Sequence, residues 1–124
     1  MAELARLHDS GRLAQIEHLA RTESVPANFL AQILGKLKTH GLITSRRGNL
    51  GGYMLARPPE EISLHDILLA VEDGCLHLSG NFHGRSGRRL KQVWGEVREC
   101  LVEKTKGYTL DQLATRNPTE MYYI

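Results

Sequence analysis

The sequence predicts a mainly α-helical fold with one small β-hairpin and a long C-terminal helix. Apolar residues recur at spacings of three and four over most of the 124-residue chain, which is the period of an amphipathic helix. Only residues 42–56 read as two short strands, and these flank a glycine-rich turn. The hydrophobic fraction of 41% and the charged fraction of 24% are ordinary for one globular domain of this length.

Three helices are predicted ahead of the hairpin. The first covers residues 2–9 and is already under way at the first residue, so we expect the native protein to carry a segment upstream. The second is short and is marked by Leu13, Ile16 and Leu19. The third begins at Pro26, which a first helical turn tolerates. Its apolar residues share one stripe, which we expect to be buried: Phe29, Leu30, Ile33, Leu34 and Leu37.

The hairpin carries its positive charge at the tip, in the stretch "RRGNLGG". No Asp or Glu occurs from Ser24 to Pro59. Five cations fall in that third of the chain: Lys36, Lys38, Arg46, Arg47 and Arg57. A charge cluster by itself is more often a solvated face than a binding site, but a basic region in a nearly neutral domain is also typical of nucleic-acid binding.

Three further helices are predicted after the hairpin. Ser63 caps the first of them, with Asp66 supporting its first turn, and Thr109 with Gln112 forms a capping-box pattern for a short final helix. Between them lies the longest helical pattern of the chain, from about Arg88 to Lys104. Its apolar residues repeat at near-heptad spacing: Leu90, Val93, Trp94, Val97 and Leu101.

This order of elements is the plan of a winged helix-turn-helix protein, in which two short helices with a tight connection precede a hairpin with a basic tip. In that plan the third helix enters the major groove of DNA. The glycine-rich tip would bring Arg46 and Arg47 against the phosphate backbone or into the adjoining minor groove. The sequence therefore predicts a protein that binds double-stranded DNA.

The stretch "FLAQILGKL", the strand "GLITSRRG" and the exit "GGYMLARPPEEISLHDIL" resemble the bacterial winged-helix family of IscR, NsrR and CymR. The resemblance covers Leu4 to about Ala114 and also includes "VW" and "TLDQL". It implies a DNA-binding domain at 1–73, a loop at 74–87 in the position of the relatives' sensor loop, and a dimerisation helix with a tail at 88–124. It also implies a homodimeric regulator of repressor type on a palindromic operator.

The family's DNA contacts can be carried over to this chain by motif position. Base contacts fall on Asn28, Phe29 and Gln32 of the third helix and on Arg47 of the wing. We add Lys36, Arg46, Asn49 and Tyr53 as further DNA-binding residues, and Leu90, Trp94, Val97 and Leu101 as the dimer seam. Two positions depart from the family pattern, because Pro26 and Ala31 stand where a hydroxyl and an acidic residue are common, so we expect a different operator from that of the iron-sulfur regulator.

Sensing is where the chain departs from the cluster-binding relatives, which carry three cysteines ahead of the long helix. Only Cys75 lies near the first of these positions, and Phe82 and Arg88 fall at the other two. We therefore predict no iron-sulfur cluster and no metal cofactor, since one thiolate is too few. Two alternatives stay open: Cys75 as a redox-active thiol near His77, or a metal site that adds His83. A small-molecule or protein effector is a third. Cys100 is expected to be a buried, inert thiol.

Other functional classes have less support. No apolar run approaches the roughly 20 residues that span a bilayer, and the first residues lack a signal core, so we expect a cytoplasmic protein that does not contact a membrane. No nucleophile motif frames either cysteine, which argues against an enzyme.

Overall fold

The computed structural model describes residues 1–72 and 82–114. Its elements are α1 (Ala2–Leu7) with a 3-10 turn (His8–Ser10), α2 (Ile16–Thr22), α3 (Ala27–Thr39), β1 (Ile43–Arg46), β2 (Gly52–Leu55), a second 3-10 turn (Pro59–Glu61), α4 (Leu64–Glu72), α5 (Arg85–Lys106) and α6 (Leu110–Ala114). This confirms the predicted fold class of helices around one antiparallel hairpin.

The core lies between the hairpin and the helices on both sides of it in sequence. Leu4, Leu34, Ile43 and Leu110 are each at most 3% exposed and belong to one hydrophobic cluster. In α3, Leu34 and Leu37 are buried, as the predicted stripe requires. α3 therefore packs against the domain through one side only, and its other side lies at the surface.

The hairpin has an additional neighbour that local patterning does not reveal. β1 and β2 pair from Ile43 with Leu55 to Arg46 with Gly52. Ala14 then pairs with Tyr53 on the other edge of β2, through hydrogen bonds of 2.9 and 2.8 Å between their backbone groups. The prediction that α2 extends to Leu13 is wrong for this reason: the backbone there is extended, and α2 begins only at Ile16.

The C-terminal segment returns to the DNA-binding domain. Leu110 N–H donates to the carbonyl of Ile62 at 2.7 Å, and Arg6 Nε donates to the carbonyl of Ala114 at 3.2 Å. Both predicted capping motifs are present: Ser63 and Asp66 exchange hydrogen bonds of 3.0 and 3.1 Å, and Gln112 accepts from Thr109 N–H at 3.2 Å. α6 is therefore part of the core that supports the hairpin.

The long helix differs from its prediction in two respects. It begins at Arg85 rather than near Arg88 and runs to Lys106. Cys100 is exposed on α5, so the prediction that its thiol is buried is wrong for the single chain. Heptad spacing identifies a stripe on a helix, but whether the stripe is covered depends on what packs against it. No helix of the described residues is long and apolar enough to cross a membrane.

Candidate nucleic-acid interface

One side of α3 presents small and polar residues to solvent. Asn28, Ala31, Gly35 and Thr39 follow one another at spacings of three and four, and all four are exposed together with Gln32. This face lies opposite the buried Leu34 and Leu37. Its amide side chains can donate to and accept from base edges, and Ala31 and Gly35 allow the backbone to approach closely.

Two predicted contact residues lie on the flank of α3 towards α4. Phe29 is 54% exposed, so its assignment to the buried stripe is wrong, although it still lines a hollow with Ile33 and Val71. Lys36, seven residues further on, lies on the same flank and donates from Nζ to the carbonyl of Val71 at 3.3 Å. The buried stripe is therefore narrower than its spacing suggested, because Phe29 lies beyond the part that the domain covers.

The wing tip is built around glycines that no other residue could replace without a shift. A Cβ at Gly51 would lie 2.2 Å from the carbonyl oxygen of Arg46, and one at Gly52 would lie 2.6 Å from that of Ala14. Gly52 also has φ +152°, which L side chains rarely adopt. The backbone of the tip therefore packs closely against β1 and the segment before α2. This packing fixes the backbone positions of Arg46 and Arg47.

The residues of the tip are available to a ligand. Arg46, Arg47 and Asn49 are exposed, and within residues 1–72 and 82–114 neither arginine has an ion pair. Leu50 is 93% exposed. The sequence signal for this exposure is an apolar side chain within a glycine turn, which the predicted set of contact residues does not include.

Contacts on both sides attach the tip to the helices. Gln15 Nε2 donates to the carbonyl of Asn49 at 3.1 Å, and Lys38 Nζ donates to Ser45 Oγ at 2.7 Å. The second contact holds β1, two residues before Arg47, against the end of α3. Tyr53 is half-buried against the core, unlike the exposed residues predicted with it.

The predicted dimer seam divides into two parts. Leu90 is 50% exposed and Val97 is 40% exposed, whereas Trp94 and Leu101 are half-buried by their own chain. Val93, 37% exposed, continues the exposed part. α5 thus has one apolar stripe facing its own domain and a second facing solvent.

The candidate sensor residues are only partly within the described chain. Cys75 and His77 lie outside the described residues. His83 is exposed, and among the described residues no group of three His, Cys, Asp or Glu side chains could hold a metal ion.

An exposed polar face on the third helix, beside a hairpin with a basic tip, defines a DNA-binding protein of the winged helix-turn-helix class. Residues 1–116 match the Rrf2 family model, described as iron-dependent transcriptional regulators, and the chain belongs to that family. It is thus a DNA-binding transcriptional regulator, and its relatives below are regulators rather than enzymes.

The comparisons cover nearly the whole chain. The HTH-type transcriptional regulator CymR of Bacillus subtilis is 29% identical over 128 aligned residues, which are 100% of this chain and 91% of the relative. The structure of that global cysteine regulator superposes with a TM-score of 0.74 at 27% identity, covering 91% of this chain and 85% of CymR. T. potens IscR gives a TM-score of 0.72 at 28% identity, covering 98% and 87%. These likenesses confirm the resemblance drawn from the wing and α3 motifs.

Proposed function

We propose that this regulator is a homodimeric repressor that occupies a palindromic operator, reading bases with the exposed face of α3 and with Arg47. The observation that carries the proposal is the exposed, acid-free face of α3 held against the wing by the contact between Lys38 and Ser45. The relatives' names support transcriptional regulation in general.

Within this proposal the residues divide into readers and anchors. Asn28 and Gln32 carry amides that can pair with adenine or guanine edges in the major groove, and Phe29 offers an apolar contact to a thymine methyl group. Arg47 reads the minor groove, where narrow segments attract arginine. The anchors neutralise phosphates or bond to them: Lys36, Lys38, Arg46 and Asn49. Tyr53 is half-buried, so only part of its side chain is accessible to DNA.

The homodimer follows from the solvent-facing apolar stripe of α5. A helix of a monomeric protein would not be expected to expose three neighbouring apolar side chains to this extent, as α5 does with Leu90, Val93 and Val97. A two-fold pair of such helices would present two copies of α3 to DNA in opposite orientations, so the half-sites of the operator must form an inverted repeat.

The family description names iron, but the donor set of this chain does not fit an iron-sulfur cluster. The chain contains two cysteines, Cys75 and Cys100, and the second lies in the C-terminal half of α5. Phe82 and Arg88, at the positions where relatives carry cysteines, have no ligating thiolate. We therefore propose that operator binding needs no cluster. Regulation would come from an effector or from Cys75, and the metal content and visible spectrum of anaerobically purified protein test this directly.

The proposed roles are tested by selecting operator DNA from random sequence and then comparing single variants on it. Arg47→Ala should relax sequence preference at the base pairs next to each half-site, at a cost of about 1–3 kcal/mol on the selected operator. Lys36→Ala should weaken all sequences alike and reduce the slope of log K against log salt by about one.

Arg98→Ala is the matched control, because it removes one cation from an exposed position of α5. It should leave both specificity and salt slope unchanged. Unchanged base preference in Arg47→Ala would contradict the role of the wing, and an enriched DNA without inverted symmetry would contradict the two-fold operator. A run-off transcription assay on a promoter that overlaps the selected operator tests repression, which stimulation would exclude.

A further inference from the structure

The tip of the wing carries a leucine that the rest of the described chain leaves uncovered. Leu50 is 93% exposed, the highest value among the exposed large apolar side chains of the described residues. A hollow behind the turn is lined by Ile16 and Asn49 among others, and Leu50 does not line it. The leucine therefore projects outward and does not fold back over its own domain.

Hydrogen bonds hold the backbone of this leucine in place. Gly51 N–H donates to the carbonyl of Gly48 at 3.0 Å, which closes a four-residue turn with Leu50 at its third position. Gln15 Nε2 donates to the carbonyl of the preceding Asn49 at 3.1 Å. The following Gly51 is buried, and a Cβ there would lie 2.2 Å from a carbonyl oxygen of β1. Because this backbone is already ordered, binding through the side chain loses little conformational entropy.

Leu50 lies near the arginine that the proposed function places in the minor groove. It follows Arg47 by three positions, and three residues span at most about 10 Å of backbone. Base pairs of DNA succeed one another at about 3.4 Å. With Arg47 in the minor groove, the backbone of Leu50 therefore lies within about three base pairs of it, along the same groove.

We propose that Leu50 is a specificity-determining residue of the wing, which contacts the floor of the minor groove and excludes G·C pairs there. The inference rests on the proposed position of Arg47 and adds a second reader to the wing.

The chemistry of the groove floor gives an apolar side chain this selectivity. A·T pairs in either orientation present only acceptors, whereas a G·C pair adds the 2-amino group of guanine, which is a donor. A leucine placed against that amino group removes its water and supplies no acceptor, and a buried donor without a partner is costly. The acceptors of an A·T pair can instead take hydrogen bonds from the guanidinium of Arg47, which carries five N–H groups.

The rest of the turn offers the amino group little compensation. The carbonyls of Gly48 and Asn49 already accept hydrogen bonds within the domain. The side-chain amide of Asn49 both donates and accepts, so it favours neither kind of pair. Leu50 separates the two kinds of pair most strongly, because it offers an amino group neither an acceptor nor room for water.

Base analogues test the contact, because inosine·C is a G·C pair without the 2-amino group and diaminopurine·T is an A·T pair that has gained it. The full chain is measured on the operator selected from random sequence. The analogues are scanned over the base pairs at which Arg47→Ala relaxes sequence preference and over three pairs on either side. At the contacted pair the unchanged protein should bind A·T and inosine·C about equally, and G·C and diaminopurine·T about tenfold more weakly.

Leu50→Met and Leu50→Gln are matched variants, because their new side chains are similar in length and differ in polarity. Leu50→Met should retain the discrimination. The amide of glutamine can accept from the amino group, so Leu50→Gln should reduce the difference between A·T and diaminopurine·T to about threefold or less. Both free proteins should melt at the temperature of the unchanged chain, since the position is exposed.

Equal discrimination by these two variants would overturn the role of Leu50 and leave the wing in the groove. The same holds if the unchanged protein binds diaminopurine·T as tightly as A·T throughout the scan. A base preference that Arg47→Ala does not alter would instead contradict the proposed position of the wing, and this inference with it. If Leu50→Gln binds every duplex as the unchanged protein does but no longer represses in the run-off assay, Leu50 contacts another protein and the proposal is wrong.

Discussion

Replacing Leu110 with alanine should destabilise the DNA-binding domain even though the residue lies 55 positions after the wing. Leu110 is 1% exposed and shares the hydrophobic cluster with Leu4 and Ile43. Truncating a fully buried leucine costs about 2–5 kcal/mol. That is a large part of the roughly 5–15 kcal/mol that holds a domain of this kind folded. With a urea slope of about 2 kcal/mol per molar, the unfolding midpoint should fall by about 1–2.5 M.

Leu113→Ala is the control, because it makes the same chemical change three residues later on the same helix, where the side chain is 42% exposed. It should cost about 1 kcal/mol or less. Both variants are unfolded in urea at the same protein concentration and followed by circular dichroism, since a dimer's midpoint depends on concentration. Equal midpoints for Leu110→Ala and Leu113→Ala would refute the reasoning that α6 completes the core.

Three smaller predictions follow from single positions. Gly51→Ala forces a Cβ to within 2.2 Å of the Arg46 carbonyl oxygen, so it should cost about 1–3 kcal/mol of stability and weaken operator binding. Urea melts and gel shifts measure the two effects, and unchanged binding would mean that the tip is not held as described. Gly35→Ala lies in the exposed middle of α3, where the added Cβ would meet no other part of the domain within 4 Å, so it should instead raise the unfolding free energy by about 0.5–1 kcal/mol; a lower melting temperature would contradict this. Ser63→Ala removes the cap that bonds Asp66 N–H and should cost about 1 kcal/mol, which thermal melts against the unchanged chain can detect.

The sequence predicted best what depends on neighbouring residues. The reciprocal bonds of Ser63 and Asp66 form within one helical turn, and the wing glycines serve a turn only seven residues long, so both were readable from spacing. The pairing of Ala14 with Tyr53 joins residues that are 39 positions apart, and no local pattern specifies it. The packing of α6 against the DNA-binding domain could likewise not be predicted from local patterns, although the capping motif of α6 could.

The candidate site shows the same division. Arg47 was predicted as a contact residue because a basic tip is a local feature, and the structure leaves it exposed. The exposure of Phe29 and of Cys100 was missed, since periodicity identifies the face of a helix but not the element that covers it. The contacts of Lys36 with α4 and of Lys38 with β1 also depend on packing, and only the structure separates these two lysines.

The closure of the core by α6 has a consequence for the order of events during synthesis. Leu4 and Ile62 leave the ribosome before α5 does, but the cluster that buries them also contains Leu110, which is made after α5. The winged domain therefore cannot reach full stability as a nascent fragment, and α5 must be complete before its own domain is. A newly made chain would thus complete the core that supports its DNA-reading surface only after the exposed apolar stripe of α5 has been made.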